Sequence, residues 1–236
     1  MSVCLKNRSQ QIEIMDNLNC SGDIVDQTLR ELEIINRRLG GTNVTLQGIE
    51  SLLKNNHLRE LTLADIGCGG GDILKQVAAW GMKNNLKLDL IGIDANPGII
   101  SFARTNTSAF GNIHYETLNI LSNEFRNKQF DIVLATLFTH HFSNDELVSM
   151  FKSLLSQARV GVVINDIHRH WLAYHSIRFL TKFFSKSPMV KYDAPLSVLR
   201  AFRRNELKTI LAQAGITNYS LTWHWAFRWQ LIIPAN

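Results

Sequence analysis

The feature that most constrains this chain is a glycine-rich segment at residues 61–72, with the sequence LTLADIGCGGGD. An apolar run leads into three alternating glycines, and Ile73, Leu74 and Val77 follow at helical spacing. This order predicts a strand, a tight turn and a helix. Because glycine has no Cβ, a ligand can approach the backbone there, and the free N–H groups at the helix start face it.

Two acidic residues distinguish this segment from a turn that is merely tight. Asp65 stands two places before the first glycine, where a dinucleotide-binding fold usually carries an apolar residue. A carboxylate at this point suits a ligand with a positive amino group better than one with a pyrophosphate. Asp94 ends a second predicted strand, residues 88–94, about twenty residues after the glycines, where it can accept hydrogen bonds from two ribose hydroxyls.

These residues resemble the class I S-adenosylmethionine-dependent methyltransferases. Residues 65–71 match the family motif D-x-G-x-G-x-G in full, and Asp94 matches the acid that ends the second strand. The resemblance covers residues 60–236 and implies S-adenosylmethionine as cofactor and S-adenosylhomocysteine as product. It also implies an α/β fold of the Rossmann-like type, a doubly wound, mostly parallel seven-stranded sheet. The cofactor residues that it implies are Asp65, Gly67, Cys68, Gly69, Gly71, Asp94, Ala95, Asn119, Ile120 and Ala135.

One of these positions departs from the family pattern. Many members carry aspartate where Asn119 stands, and that aspartate binds the adenine amino group. An asparagine oxygen can accept the same hydrogen bond without a charge. Near the N-terminus, residues 8–16 and 36–41 resemble a subgroup found beside polyketide synthases. This subgroup implies a small acceptor that is apolar and phenolic or polyketide-derived.

Composition narrows the classes of partner. The 236 residues carry a net charge of +5 without a block of like charges, so no nucleic-acid partner is expected. The cysteines at positions 4, 20 and 68 have neither metal nor disulfide spacing. With no signal peptide and no apolar run long enough to span a bilayer, the sequence predicts a cytoplasmic protein.

The pattern along the chain predicts an N-terminal helical cap, residues 1–57, and a methyltransferase domain, residues 58–236. In the cap, a helix from Ile24 to Leu39 ends at Gly40-Gly41, and a second helix follows over residues 44–53. The cap either completes the core or closes over the cofactor cleft. The family resemblance favours closure.

Later elements are predicted from apolar runs and turn residues. The predicted strands are residues 113–118, 130–136, 160–165, 216–223 and 226–233, the last of them antiparallel. Helices are expected over residues 145–155, capped by Ser143 or Asn144, and 205–214, ended by Gly215. Between them lies an insert, residues 171–200. It begins with a helix over residues 171–184 and continues as an irregular segment with Pro188 and Pro195.

Histidines follow two neighbouring strands of the predicted sheet. His140 and His141 come after the fourth strand, and Asp166, His168 and His170 come after the fifth. Ligands of an open parallel sheet bind beyond the carboxyl ends of its strands. A neutral imidazole, with a pKa near 6.5, suits deprotonation of a phenol whose pKa is near 10.

His141 is the first choice as general base because it lies deeper in the loop, beside Phe142, and His140 and His168 are the alternatives. Asp166 could orient a histidine or bind a substrate hydroxyl. Any one histidine could equally be an ordinary core or surface residue. Asp166, His168 and His170 are also metal-ligand types. They differ from the acid and asparagine set of catechol-type methyltransferases, and no metal is predicted.

Several functions stay open at this point. An O-methyltransferase acting on a small molecule ranks first, and C-methylation of an electron-rich ring needs the same base and cofactor. An RNA or protein methyltransferase ranks lower, because no base-flipping tetrapeptide follows the fourth strand. A non-catalytic cofactor-binding protein is disfavoured by the intact motif. The sequence names neither the acceptor nor the oligomeric state.

The cap and the insert are predicted to close together over an apolar acceptor. The residues expected to face it are Met15, Leu29, Leu32 and Leu39 from the cap, and Trp171, Tyr174, Phe179 and Phe183 from the insert. The insert helix also carries Arg178, Lys182 and Lys186, so peripheral contact with a membrane is an alternative role.

Overall fold

The computed structural model describes residues 5–54, 56 and 58–235. A seven-stranded sheet with strand order β3-β2-β1-β4-β5-β7-β6 forms its centre. The strands are β1 (Glu60–Ile66), β2 (Lys87–Asp94), β3 (Ile113–Thr117), β4 (Phe130–Thr136), β5 (Ala158–Ile167), β6 (Ser220–His224) and β7 (Arg228–Pro234). Strands β1 to β5 pair in parallel, whereas β7 is antiparallel to both neighbours. The predicted doubly wound sheet, including its antiparallel last strand, is confirmed.

The central strands are apolar because helices cover both faces of the sheet. Within the described part of the chain the α-helices are α1 (Asp23–Arg38), α2 (Gly41–Leu53), α3 (Asp72–Lys83), α4 (Pro97–Asn106), α5 (Asn123–Arg126), α6 (Asn144–Gln157), α7 (Trp171–Phe184), α8 (Pro188–Arg200) and α9 (Arg204–Gln213). Helices α6 and α9 pack on one face, and α2, α3 and α4 pack on the other. Ser143 caps α6: its hydroxyl accepts from the N–H of Glu146, whose carboxylate accepts from the N–H of Ser143.

Strand β5 is longer at both ends than the predicted residues 160–165. Its polar residues Asn165 and Asp166 stay in the ladder, opposite Gln230 and Trp229 of β7. Both side chains are buried, and each has hydrogen-bond partners inside the fold. Long-range pairing therefore extends the strand past its apolar part.

The two N-terminal helices have different roles. Helix α2 completes the core: Ile49 is fully buried, and Gly48 lies so close to the sheet that an added Cβ would be 2.4 Å from Val163 Cγ1. Helix α1 ends at Arg38, one residue before the predicted Leu39, and Gly40 follows with φ +75°. The helix packs against α4 and α8 over the carboxyl edge of the sheet. Helix α2 therefore completes the core, whereas closure of α1 over the cofactor cleft stays a prediction.

The second half of the insert corrects a prediction. Helix α7 has the predicted bounds, but the segment expected to be irregular forms α8. Pro188 opens α8, where a missing N–H costs nothing. Pro195 lies inside the helix, which α7, α1 and a buried apolar side hold in place. Tertiary packing outweighs the local penalty of the second proline.

The structure also bears on the predicted helix end at Gly215, the cysteines and the absence of a membrane span. Gly215 has φ +72° and follows α9, as predicted. Cys20 and Cys68 are free thiols, and Cys4 lies outside the described residues. In the described ranges, every helix is too short or too polar to cross a bilayer. The boundary between cap and methyltransferase domain at residue 57 stays a prediction.

Candidate active site

A cavity of about 620 Å³ lies beyond the carboxyl ends of β1, β2 and β4. Its floor is the glycine turn, and its walls come from the N-terminal segment, α1, α7, α8 and the β6–β7 turn. The apolar wall residues are Met15, Leu18, Leu29, Leu32, Ile35, Leu39, Ala173, Ile177, Leu180, Val190, Ala194 and Val198. The size and apolar lining are typical of small-molecule sites.

Positive φ angles favour glycine at Gly67 and Gly69 of the turn, and a close contact adds to this at Gly67. Gly67 has φ +64°, and a Cβ there would lie 2.0 Å from the Phe138 ring. The N–H groups of Gly67 and Cys68 donate to the Ile93 carbonyl and fix the turn to β2. Gly69 lines the cavity with φ +50°, and the nearest atom to an added Cβ would be 3.9 Å away. The backbone at Gly69 is therefore open to a ligand.

Asp65 places an unpaired carboxylate at the cavity floor. The side chain is 2 % exposed, and its Oδ1 has no hydrogen-bond partner among the described residues. Burial, and then the neighbouring carboxylates of Asp72 and Asp94, raise the pKa of Asp65 well above its ordinary value. A ligand with a positive amino group would compensate for this burial.

Asp94 ends β2 beside this carboxylate. Its Oδ1 accepts from the N–H of Asn96 at 2.9 Å. Burial raises the pKa of Asp94, and backbone N–H groups of Asn96, Gly69 and Ala95 partly offset the rise. The carboxylate is therefore held in one orientation at the cavity wall, where it can accept hydroxyl groups.

Most of the predicted cofactor residues line the cavity: Asp65, Gly67, Cys68, Gly69, Asp94, Ala95, Asn119 and Ile120. Two of the ten do not. Gly71 lies behind the turn, where a Cβ would be 2.1 Å from the Tyr115 hydroxyl oxygen, and Ala135 is fully buried within β4. Both support the fold below the site and lie outside the cavity wall.

His140 lies between two carboxylates, and its side chain is 2 % exposed. Its Nδ1 is 2.7 Å from Asp166 Oδ1, and its Nε2 is 3.6 Å from Glu13 Oε1. Burial alone would raise the pKa of Asp166, but the charge of His140 and hydrogen bonds from His140 and Thr139 lower it below its ordinary value. Asp166 orients His140, one of the two roles that the sequence left open.

Of the two histidines in the cavity wall, His141 is the more exposed. Its Nδ1 lies 2.6 Å from Asp16 Oδ1, and the side chain is 22 % exposed. Arg200 Nη1 donates to the other oxygen of Asp16 at 2.6 Å. Burial alone would raise the pKa of Asp16, but the close imidazole of His141 and the charge and hydrogen bond of Arg200 lower it. Asp16 therefore stays ionised next to the imidazole.

Two arginines hold the histidine turn itself, residues 139–141. Arg8 donates to the carbonyls of His140 and Phe142, and Arg200 donates to the carbonyl of His141. Sequence reasoning missed Glu13, Asp16 and Arg200 as parts of the site. A usable signal was present, because Glu13 and Asp16 lie in residues 8–16, which were noted only for their resemblance to a subgroup.

Histidines from two strands were expected to meet over the cavity, but His168 does not line it. It lies in a separate depression with Arg169, His170 and Trp171. Burial, and then the positive charges of His170, Arg203 and Arg169, lower the pKa of His168 to about 4. The N–H of His168 donates to the Phe227 carbonyl, which directs the chain away from the cavity after β5.

The aromatic residues expected to line the cavity from the insert are elsewhere. Trp171, Phe179 and Phe183 point outward, each more than half exposed, and Tyr174 is buried between α7 and α8. The inner face of α7 instead presents Ala173, Ser176, Ile177 and Leu180, which recur at helical spacing. The four cap residues expected there, Met15, Leu29, Leu32 and Leu39, do line the cavity.

A metal-ligand group also occurs at this site, with atoms of Glu13, His140 and His141 within 4.8 Å of one another. It differs from the set weighed from the sequence. The Arg200 guanidinium already faces these groups, with its Nε 3.8 Å from Glu13 Oε1. The positive charge of Arg200 therefore already compensates the carboxylates of Glu13 and Asp16.

Comparison with known proteins finds a family similarity over part of the chain. Residues 63–161 match the model of the methyltransferase domain family. Over these residues the chain is similar to the class I S-adenosylmethionine-dependent methyltransferases. A ubiquinone biosynthesis O-methyltransferase of Sinorhizobium fredii is 33% identical over 88 residues, which cover 37% of this chain and 33% of that relative. The chain thus matches about a third of the length of this curated relative.

Solved methyltransferase structures share the fold of this chain. The plantazolicin methyltransferase with bound S-adenosylhomocysteine has a TM-score of 0.64 at 14% identity, covering 91% of this chain and 100% of the other. Magnesium protoporphyrin IX methyltransferase from Synechocystis PCC 6803, also with S-adenosylhomocysteine, has a TM-score of 0.57 at 17% identity and covers 84% of each chain.

S-adenosylmethionine, the cofactor of the similar family, fits the residues present in this chain. The unpaired Asp65 oxygen would meet the amino group, Asp94 would accept the ribose hydroxyls, and Asn119 with Ile120 would hold the adenine. The open backbone at Gly69 leaves room above the turn. The apolar part of the cavity, below α1 and α7, remains for an acceptor.

Proposed function

We propose that this methyltransferase methylates an oxygen of a small apolar acceptor, phenolic or polyketide-derived, with His141 as general base. The observation that carries the proposal is the pair of His141 and Asp16 in the cavity wall, 2.6 Å apart, next to the apolar surface of α1 and α7. His140 is a weaker candidate because both of its ring nitrogens face carboxylates in a buried position.

The chemistry needs a nucleophile, a base and exclusion of water. S-adenosylmethionine supplies a methyl group already activated by its sulfonium. His141 takes the proton of the acceptor hydroxyl, and the ionised Asp16 stabilises the imidazolium that forms. The apolar walls position the acceptor and keep water from competing for the base.

Two further observations support this acceptor class. The partly matching relative from Sinorhizobium is an O-methyltransferase of ubiquinone biosynthesis. The segment of residues 8–16, which resembles the subgroup beside polyketide synthases, supplies Asp16 to the proposed base. C-methylation of an electron-rich ring would use the same histidine, so the product has to be identified directly.

The test is turnover on phenols that differ in alkyl chain, such as phenol, 4-butylphenol and 4-octylphenol. We expect kcat/KM to rise with chain length, and NMR of the product to show a methyl ether. His141→Ala should lower kcat by about 10²–10⁴-fold while S-adenosylhomocysteine affinity stays within about twofold. Asp16→Asn should move the acid limb of the pH–rate profile to lower pH, because the imidazolium loses its partner.

His168→Ala is the matched control, because it removes the same side chain from outside the cavity. It should keep full turnover. If His141→Ala keeps full turnover as well, general-base catalysis by this residue is refuted. A ring-methylated product would instead identify the C-methylation alternative.

A further inference from the structure

The outer side of α7 is an exposed apolar surface. Five large side chains lie there with exposed fractions from 41% to 77%: Trp171, Leu172, Phe179, Phe183 and Phe184. The rings of Phe179 and Phe183 are 4.7 Å apart. Single exposed apolar residues are ordinary, but a cluster of this size on one short helix marks an interaction surface.

The β6–β7 turn continues this surface around the mouth of the cavity. Trp225 is 69% exposed, and its ring lies 5.6 Å from Phe227, which stacks on His170 at the start of α7. Trp225 and Leu180 are both cavity-lining residues that are also exposed. The outer side of α7 and Trp225, called the aromatic face below, therefore border the opening.

The charges on this face have one sign. Residues 168–192 and residues 207–236 contain no aspartate or glutamate. Four cations alternate with the apolar residues of the insert and are exposed: Arg178, Lys182, Lys186 and Lys191. Arg37 and Arg38 end α1 beside the β6–β7 turn, where the N–H of Ala226 donates to the Leu39 carbonyl.

Helix α1, which packs beside the insert, presents the carboxylate of Glu31 to the α7–α8 connection. Its oxygens already accept from the Ser185 hydroxyl and from the N–H groups of Lys186 and Ser187. The side-chain cations of α7 therefore remain available to an external anion.

We propose that the aromatic face docks this methyltransferase on an anionic lipid bilayer. Tryptophan and phenylalanine insert at the headgroup level, and the interleaved cations meet the lipid phosphates. A second copy of the chain fits less well, because a twofold contact through this face would bring its own cations together. Docking would turn the mouth of the apolar cavity toward the bilayer.

The use of this docking rests on the proposed function: an acceptor dissolved in the membrane could enter the cavity directly from the bilayer. The docking itself is measured without catalysis. Its failure would leave methylation of a water-soluble acceptor intact, and failure of the activity would leave the docking intact.

Co-sedimentation of the full chain with vesicles tests the proposal. We expect binding to vesicles of 70% phosphatidylcholine and 30% phosphatidylglycerol, roughly tenfold or more above binding to pure phosphatidylcholine, and a loss of most binding at high salt. Phe179→Ser with Phe183→Ser, and separately Lys182→Ala with Lys186→Ala, should each lower the partition coefficient about tenfold.

Met82→Ser is the control, because Met82 is 65% exposed on α3 and does not line the cavity. It should bind as the unmodified protein does, and all variants should bind S-adenosylhomocysteine equally, which shows that they fold. Equal binding to both vesicle types, or no effect of the variants on α7, would overturn the proposal. So would a concentration-dependent dimer that the Phe179 and Phe183 changes abolish, because the face would then serve self-association.

Discussion

At the scale of single residues, three carboxylates surround the glycine turn, with Asp65 buried and Asp72 and Asp94 partly buried. Desolvation raises the pKa of all three, and the charges of Asp72 and Asp94 raise the pKa of Asp65 further. A conformation that gathers like charges without a cation is unfavourable by itself. The site is therefore arranged so that a cationic amino group restores the balance.

Binding of S-adenosylhomocysteine should release protons from this site. Asp65, whose pKa is raised without ligand, must be ionised to pair with an ammonium group, so affinity should increase from pH 5 to pH 7. Asp65→Asn should lower affinity by roughly 10–100-fold, since hydrogen bonds to charged groups contribute about 1.5–3 kcal/mol. Calorimetry in buffers of different ionisation enthalpy measures both quantities.

The exposed Asp89→Asn variant is the control and should keep the proton release. If Asp65→Asn still releases protons and binds with unchanged affinity, the amino-group assignment at Asp65 is wrong.

At the scale of elements, the N-terminal segment is attached to α8 through carboxylates. Asp193 accepts from the N–H groups of Ile14 and Met15, and the Ser197 hydroxyl donates to Glu13. Arg200, at the end of α8, donates to Asp16. These contacts join two segments far apart in sequence and place both acids beside the histidine turn.

Glu13 should make stability depend on pH near neutrality. Burial raises its pKa to about 7 from an ordinary 4.5. Since the folded state holds the proton more tightly, the Glu13 contribution is present below about pH 4.5 and is lost as the pH rises to 7. The loss amounts to about 3 kcal/mol. Glu13→Gln should therefore flatten the fall in the free energy of unfolding between pH 5 and pH 7, measured by urea unfolding.

The exposed Glu124→Gln variant is the comparison and should retain the slope of the unmodified protein. Because the pKa values of Asp65 and Asp94 are also raised, these residues also make the free energy of unfolding fall as the pH rises. Both residues are unchanged in every variant, so their effect cancels when a variant is compared with the unmodified protein. Identical slopes for Glu13→Gln and the unmodified protein would mean that Glu13 is ionised throughout this range.

At the scale of the whole molecule, α1 and the insert of α7 and α8, which are distant in sequence, together enclose the cavity. Thr28 of α1 and Ser187 beside α8 form a buried hydroxyl contact of 2.7 Å, and Glu31 binds the start of the α7–α8 connection. Helix α1 also contributes Leu29 to an apolar cluster with Met189. None of these contacts involves a strand of the central sheet.

Hydrogen exchange should show this enclosure responding to ligands. With S-adenosylhomocysteine and 4-octylphenol together, residues 13–39 and 171–200 should gain protection, because both segments contact the acceptor space. S-adenosylhomocysteine alone should protect mainly residues 65–94. Protection confined to residues 65–94 with both ligands would leave the insert as scaffold.

Local patterns in the sequence determined the strands, the cofactor turn with Asp65 and Asp94, and the position of His140 and His141 after β4. They did so because apolar periodicity, glycine conformation and strand ends are properties of neighbouring residues. Only the tertiary structure decided that His141 pairs with Asp16, that His168 turns away with β7, that α8 is helical despite Pro195, and that α7 presents its aromatic residues outward. These outcomes depend on which distant surfaces pack together and on which buried charges need partners, and neither is encoded by spacing along the chain.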